Sequence, residues 1–119
     1  RDGQKAYYDY KRIARWFYDQ GLSFANIRNR TFVENIGWGY YRCTQADCTD
    51  ELLASIRSTY EFFMSEKNKK NRVHYESIMS PTYRKIGLGV ALDQSRSRYY
   101  LTVHYATEVT ADRYPVCAE

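Results

Sequence analysis

The chain has 119 residues and a net charge of +4, with 44% hydrophobic and 17% aromatic residues. This length is enough for one domain with one core, and the aromatic content excludes a disordered protein. No apolar run approaches the roughly 20 residues that a membrane-spanning helix needs, so we expect no membrane span. Most of the aromatic side chains are tyrosines, which suit partly buried faces and binding surfaces.

The first predicted element is an amphipathic helix over residues 4–20. Apolar side chains recur along one of its faces at helical spacing: Ala6, Tyr10, Ile13, Ala14 and Phe17. Gly21 follows in the position that a C-terminal cap prefers. Residues 22–42 show no long period and contain Gly37 and Gly39, so we expect a loop with short extended pieces.

The cysteines and one sequon bear on the compartment. Cys43 and Cys48 enclose a short polar stretch, and we expect a small loop closed by a disulfide. Cys117 lies apart from them and is either free or paired with a segment outside this chain. Asn29 begins an Asn-Arg-Thr sequon, which is glycosylated only in a eukaryotic secretory protein.

A second helix is predicted over residues 50–66. Thr49 is a favourable N-cap, and Asp50 and Glu51 suit the positive end of a helix. Apolar residues then repeat at helical spacing: Leu52, Leu53, Ile56, Tyr60, Phe63 and Met64. A charged loop over 67–72 and a short helical turn over 74–79 follow, and Ser80-Pro81 ends the turn.

A β-hairpin is predicted near the end of the chain. Residues 85–92 are apolar and punctuated by glycine, which favours a buried strand, and residues 93–97 form a turn. Residues 98–106 form the second strand, with Tyr100, Thr102 and His104 on one face and Leu101, Val103 and Tyr105 on the other. We expect an irregular tail over 107–119. Helices before a hairpin indicate an α+β fold.

Four segments, at residues 33–39, 74–83, 86–91 and 99–102, taken in this order resemble the CAP family (cysteine-rich secretory, antigen 5 and pathogenesis-related proteins). Residues 33–39 resemble the family's Gly-Glu-Asn-Ile segment, and residues 74–83 its segment that begins with histidine. Residues 86–91 and 99–102 resemble its Ile-Gly-Val-Gly-Val-Ala and Tyr-Tyr-x-Thr strands. The resemblance covers about residues 8–106. It implies a three-layer α/β/α sandwich, an antiparallel sheet flanked by helices, with a broad surface cleft.

The resemblance also implies that residues 1–119 are a single CAP-like domain whose N-terminal helix is missing ahead of Arg1. The family cleft often holds two histidines and two acids, sometimes around a divalent metal. Glu34 matches the acid of the Glu-Asn-Ile motif and His74 the downstream histidine, while Glu66 matches the acid of Trp-x-x-Glu. Tyr75 follows His74 and is expected to line the same cleft.

The upstream histidine of the family has no counterpart between residues 21 and 31, where Ser23, Phe24 and Ala25 stand. Zinc favours imidazole and thiolate and usually takes four ligands, so Glu34 and His74 are weak metal candidates, and we expect no cofactor. A structural or surface role is expected for His104. A serine nucleophile would be Ser77 or Ser80, but no nucleophile-elbow sequence surrounds either, and we expect no catalytic residue.

The leading hypothesis is a secreted, non-enzymatic recognition module that binds a lipid, glycan, peptide or protein through a cleft lined by Glu34 and His74. One alternative is a structural module of a larger extracellular assembly. Another is a metal-dependent hydrolase that uses His74, Glu34 and Glu66. A nucleic-acid binder is disfavoured, because no nucleic-acid motif accompanies the basic residues 67–72.

Overall fold

The computed structural model describes residues 10–24 and 32–111. Its helices are α1 (Tyr10–Asp19), α2 (Thr49–Ser65) and α3 (Val73–Met79). Its strands are β1 (Leu22–Phe24), β2 (Phe32–Tyr40), β3 (Lys85–Asp93), β4 (Arg98–Ala106) and β5 (Val109–Ala111), and one-turn 3-10 helices cover Glu66–Asn68 and Gln94–Arg96. The fold is α+β, as the sequence predicts. The predicted helix start at 4–9, the Asn29 sequon and Cys117 lie outside the described residues.

The main sheet is antiparallel with the strand order β2-β4-β3, and β1 pairs separately with β5. The predicted loop over 22–42 is therefore wrong, because it contains the nine-residue strand β2. One face of β2 carries Asn35, Gly37 and Gly39, which hides the alternation of apolar residues that marks a strand. The irregular tail is also wrong at residues 109–111, which form β5.

Helix α2 lies so close to β2 that side chains are excluded at one point of contact. A Cβ atom added at Gly37 would overlap the Thr59 methyl group and come within 3.3 Å of the Phe63 ring. At Gly39 it would lie 2.8 Å from the Tyr99 hydroxyl. That hydroxyl donates to the Ser55 carbonyl at 2.7 Å and lies 2.5 Å from the Thr59 hydroxyl. Gly37 thus allows the helix to approach the sheet, and Gly39 leaves room for the Tyr99 side chain that bonds to the helix.

The core lies between α2 and β4. Its buried members are Tyr41, Tyr99, Leu101 and Val103, with Leu52, Ile56 and Tyr105 packed against them. The predicted alternation of β4 is confirmed, since Leu101 and Val103 are buried while Thr102 and His104 on the other face are half-buried. Strand β4 is central and therefore has neighbours on both sides.

Strand β3 is exposed, so the predicted buried strand is wrong. Its apolar side chains are between 45% and 67% exposed: Ile86, Leu88, Val90 and Leu92. They share a face with Leu101 and Val103 of β4, but α2 and α3 pack against β2, at the opposite margin of the sheet. The apolar run of β3 predicts burial. Which strand of the sheet a helix covers, however, depends on tertiary packing, which the run does not show.

The helix ends follow the local sequence. Gly21 has a positive φ of 75°, and its N–H donates to the Tyr18 carbonyl at 2.9 Å, which confirms it as the cap of α1. Thr49 is the first residue of α2 rather than its N-cap, so that prediction is wrong. Its N–H and hydroxyl both donate to the Asp47 carboxylate, at 3.0 and 2.7 Å, and these bonds lower the pKa of Asp47.

Cys43 and Cys48 form the expected disulfide just before α2, with their Cα atoms 5.3 Å apart. The bond closes a short exposed loop between β2 and α2. Among the described residues, no helix is both long and apolar enough to cross a membrane.

Candidate functional site

Glu66 and His74 form a hydrogen-bonded pair between the end of α2 and the start of α3. The His74 Nδ1 lies 2.8 Å from Glu66 Oε1, and the His74 backbone N–H donates to Glu66 Oε2 at 3.1 Å. The glutamate side chain is 10% exposed and the histidine side chain 28%. One carboxylate therefore holds both the imidazole ring and the first turn of α3.

Phe63 and Asn35 fix the same histidine from two other directions. The Phe63 ring stacks on the imidazole with centroids 4.6 Å apart and planes inclined by 14°. Asn35 is buried in β2, and its amide donates to the His74 carbonyl at 3.2 Å. The ring and the backbone of His74 are thus tied to α2, to the 3-10 turn and to the sheet.

The electrostatics of the pair favour an ionised Glu66. Burial by itself raises the pKa of this carboxyl group. The hydrogen bond and positive charge of His74, together with the N–H groups of Tyr75 and His74, outweigh burial and lower the pKa. Both oxygens of this carboxylate are already hydrogen-bonded to the protein. Glu66 therefore acts by holding His74 and α3 in position.

Glu34 lies on the other face of the sheet, paired with His104. The two residues are register partners in β2 and β4, and His104 Nε2 lies 2.5 Å from Glu34 Oε2. Phe17 of α1 and Phe32 contact the His104 ring edge-on, with centroids 5.4 and 5.0 Å away. Since neighbouring residues of a strand point to opposite faces, Glu34 points away from the face on which Asn35 meets His74. The structure does not bring Glu34 and His74 together.

A shallow cleft adjoins the Glu66–His74 pair. It has a volume of about 490 Å³ and is lined by Lys67, Asn68, Arg72, Tyr75, Glu76, Met79 and Ser80. Arg72 Nε donates to Glu76 Oε1 at 3.0 Å, and its Nη1 donates to the Lys67 carbonyl at 3.3 Å. Of the residues predicted to line a cleft, Tyr75 lines this one, and Glu66 and His74 support the helix that forms its wall.

The two serines considered as nucleophiles are hydrogen-bonded elsewhere. The Ser77 hydroxyl donates to the Val73 carbonyl at 2.8 Å, inside α3. The Ser80 hydroxyl accepts the Thr82 N–H at 3.3 Å. These bonds are local to α3 and to the turn that follows it.

Neither histidine–glutamate pair makes up a zinc site by itself. Each histidine–glutamate pair offers two ligands, and zinc usually takes four. Within residues 10–24 and 32–111, no group of three or more His, Cys, Asp or Glu side chains gathers in a geometry that could hold a metal.

The comparisons with known proteins leave the family open. No protein-family model, curated protein or solved structure matches this chain. The function therefore has to be argued from the geometry of the site.

Sequence reasoning missed three contacts of these pairs: the stacking of Phe63 on His74, the hydrogen bond from Asn35 to His74, and the pairing of Glu34 with His104. Phe63 stands three residues before Glu66, a spacing that places both on one face of a helix, and this signal was available in the sequence. The other two depend on β2, because a register between strands is defined only once both strands are known.

Proposed function

We propose that this protein is a CAP-like recognition module that binds a ligand without transforming it, through the cleft beside Glu66 and His74. The observation that carries the proposal is the Glu66–His74 pair, which holds α3 so that Tyr75 and Arg72 line an open cleft. Glu66 and His74 are also the residues that the resemblance assigns to the family cleft.

The fixed geometry of the pair favours binding over catalysis. Glu66 is engaged by His74 and by two backbone N–H groups, and Phe63 stacks on the imidazole. Holding a wall in place reduces the ordering cost that a ligand must overcome, which raises affinity. Glu34, which the resemblance assigns to the same cleft, has no part in this proposal because it lies with His104 on the face that meets α1.

The lining of the cleft favours an anionic ligand with an apolar part. Lys67 and Arg72 supply positive charge, Glu76 offsets that of Arg72 through their ion pair, and Lys69 and Lys70 follow in the adjacent exposed loop, so the cleft and its rim keep a net positive charge. Tyr75 and Met79 supply apolar surface, and the Tyr75 hydroxyl adds a polar group. An acidic glycan, an anionic lipid headgroup or an acidic peptide carries this chemistry.

The proposed architecture is the three-layer α/β/α sandwich of the family. Its support is that Phe17 of α1 packs against Phe32 and His104, whereas Thr59 and Phe63 of α2 pack over Gly37 on the opposite face. Secretion is part of the same proposal, and the Cys43–Cys48 disulfide supports it because such bonds persist in oxidising compartments.

Mapping of amide chemical shifts tests the proposed location. The isotope-labelled chain is titrated separately with a heparin-derived hexasaccharide, with phosphatidylcholine vesicles that contain phosphatidylserine, and with a poly-glutamate peptide. We expect at least one probe to shift amides of residues 66–80 while those of β3 stay unchanged. Shifts confined to other parts of the chain, or no shift with any probe, would refute the proposal.

A further inference from the structure

The outer edge of β3 is open in the part of the chain that the structure describes. The order β2-β4-β3 places β3 at the margin of the sheet, and none of the described strands pairs with its outer side. An open edge presents N–H and C=O groups that can pair with a further strand. Next to this edge lies the apolar stripe of β3, which we define as Ile86, Leu88, Val90 and Leu92.

Strand β3 lacks the usual protection of an edge strand. Proteins keep edges from pairing with charges, proline or bulges within the strand. In β3, residues 86–92 are all apolar or glycine, and the only charged residues are Lys85 at one end and Asp93 at the other. The opposite edge strand, β2, carries Glu34 and Asn35 in its interior.

The sequence of β3 is complementary to itself in antiparallel register. If two copies pair about Gly89, Lys85 of each copy lies directly opposite Asp93 of the other. The remaining pairs are Ile86 with Leu92, Gly87 with Ala91, Leu88 with Val90, and Gly89 with Gly89. Opposite charges and branched apolar side chains are favourable as direct cross-strand neighbours.

We propose that two copies of this chain associate through β3, antiparallel about Gly89, and form one continuous six-stranded sheet. The two-fold axis is perpendicular to the sheet, so the same patch is used twice and the interface closes. Both apolar stripes then lie side by side on one face. The nine paired residues would span about 30 Å. The dimer goes beyond the proposed function, since the cleft beside His74 takes no part in it.

Sedimentation of the intact chain over a concentration series tests the dimer. We expect the wild type to shift from monomer to dimer as its concentration rises. Leu88→Lys should raise the dissociation constant about tenfold or more, because it replaces the apolar cross-strand neighbour of Val90 at two places in the interface by a charged side chain, which disfavours the pairing of strand edges. Leu53→Lys is the matched control, since Leu53 is 57% exposed on α2 and outside the interface. Circular dichroism checks that both variants fold.

Lys85→Glu tests the register. It places a second carboxylate opposite Asp93 of the other copy at each end of the paired strands, so the dimer should weaken, and added salt should reverse much of the loss by screening. A merely structural role of Lys85 would not produce that salt dependence. A wild-type chain that stays monomeric at every concentration overturns the proposal. Equal effects of Leu88→Lys and Leu53→Lys on the dissociation constant would also overturn it, as would an unchanged dissociation constant for Lys85→Glu.

Discussion

At the scale of single residues, the Glu66 carboxylate determines how α3 begins. It accepts the ring and backbone N–H groups of His74 in a setting that is 10% exposed. Hydrogen bonds to a charged group contribute about 1.5–3 kcal/mol each, more than neutral ones do. The removal of this one charge should therefore affect both the free energy of unfolding and its dependence on pH.

Glu66→Gln should lower the free energy of unfolding at neutral pH by about 1–3 kcal/mol. The folded-state pKa of Glu66 lies below its ordinary value of 4.5, so the unfolded chain binds more protons there. The contribution of Glu66 is thus fully present above pH 4.5 and is lost as the pH falls through the folded-state pKa. Urea unfolding at a series of pH values should show the wild type and the variant converging in acid.

Glu61→Gln is the matched control, because Glu61 is exposed on the same helix. It should leave the stability and its pH dependence close to those of the wild type. The account is contradicted if Glu66→Gln keeps the full wild-type pH dependence, or if Glu61→Gln reproduces its effect.

At the scale of elements, the contact of α2 with β2 requires a glycine. Gly37→Ala should destabilise the fold by about 1–3 kcal/mol, because its methyl group would overlap Thr59 and force the helix to shift. Gly87→Ala is the matched control, since a Cβ there meets nothing within 4 Å. Thermal unfolding followed by circular dichroism compares the two, and equal melting temperatures would show that α2 does not lie against β2 as described.

Local signals in the sequence were enough to predict α2, the short helix α3 and the two strands of the hairpin. Apolar residues at helical spacing mark α2, and Ser80-Pro81 marks the end of α3. An apolar run punctuated by glycine marks β3, and a run of β-branched and aromatic residues marks β4. Strand β2 carries no such signal, because the positions that meet α2 are small or polar. The burial of β3 was predicted wrongly for a related reason, since its sequence does not show which strand a helix will cover.

Only those residues of the candidate site that lie close together in the sequence could be predicted. Glu66 and His74 were both named, and eight residues with a short turn are enough to bring them together. The position of Glu34 could not be predicted. Its side-chain direction follows from the alternation of β2, and its partner His104 follows from the register with β4.

At the scale of the whole molecule, the fold separates two proposed surfaces. The cleft beside His74 lies where the end of α2 meets α3, and helix α3 packs against β2. The apolar stripe lies on β3, at the other margin of the sheet. The proposed ligand binding and the proposed self-association would therefore use different elements, and a variant of one surface should leave the other unchanged.

The most direct test of the central claim compares the two histidines. Each is paired with a glutamate, but His74 supports the cleft and His104 lies on the other face. The affinity for whichever probe shifts residues 66–80 is measured by calorimetry for His74→Ala and His104→Ala, after both variants are shown to fold. We predict that His74→Ala weakens binding about tenfold or more while His104→Ala leaves it nearly unchanged. Equal affinities, or a loss confined to His104→Ala, would contradict the account.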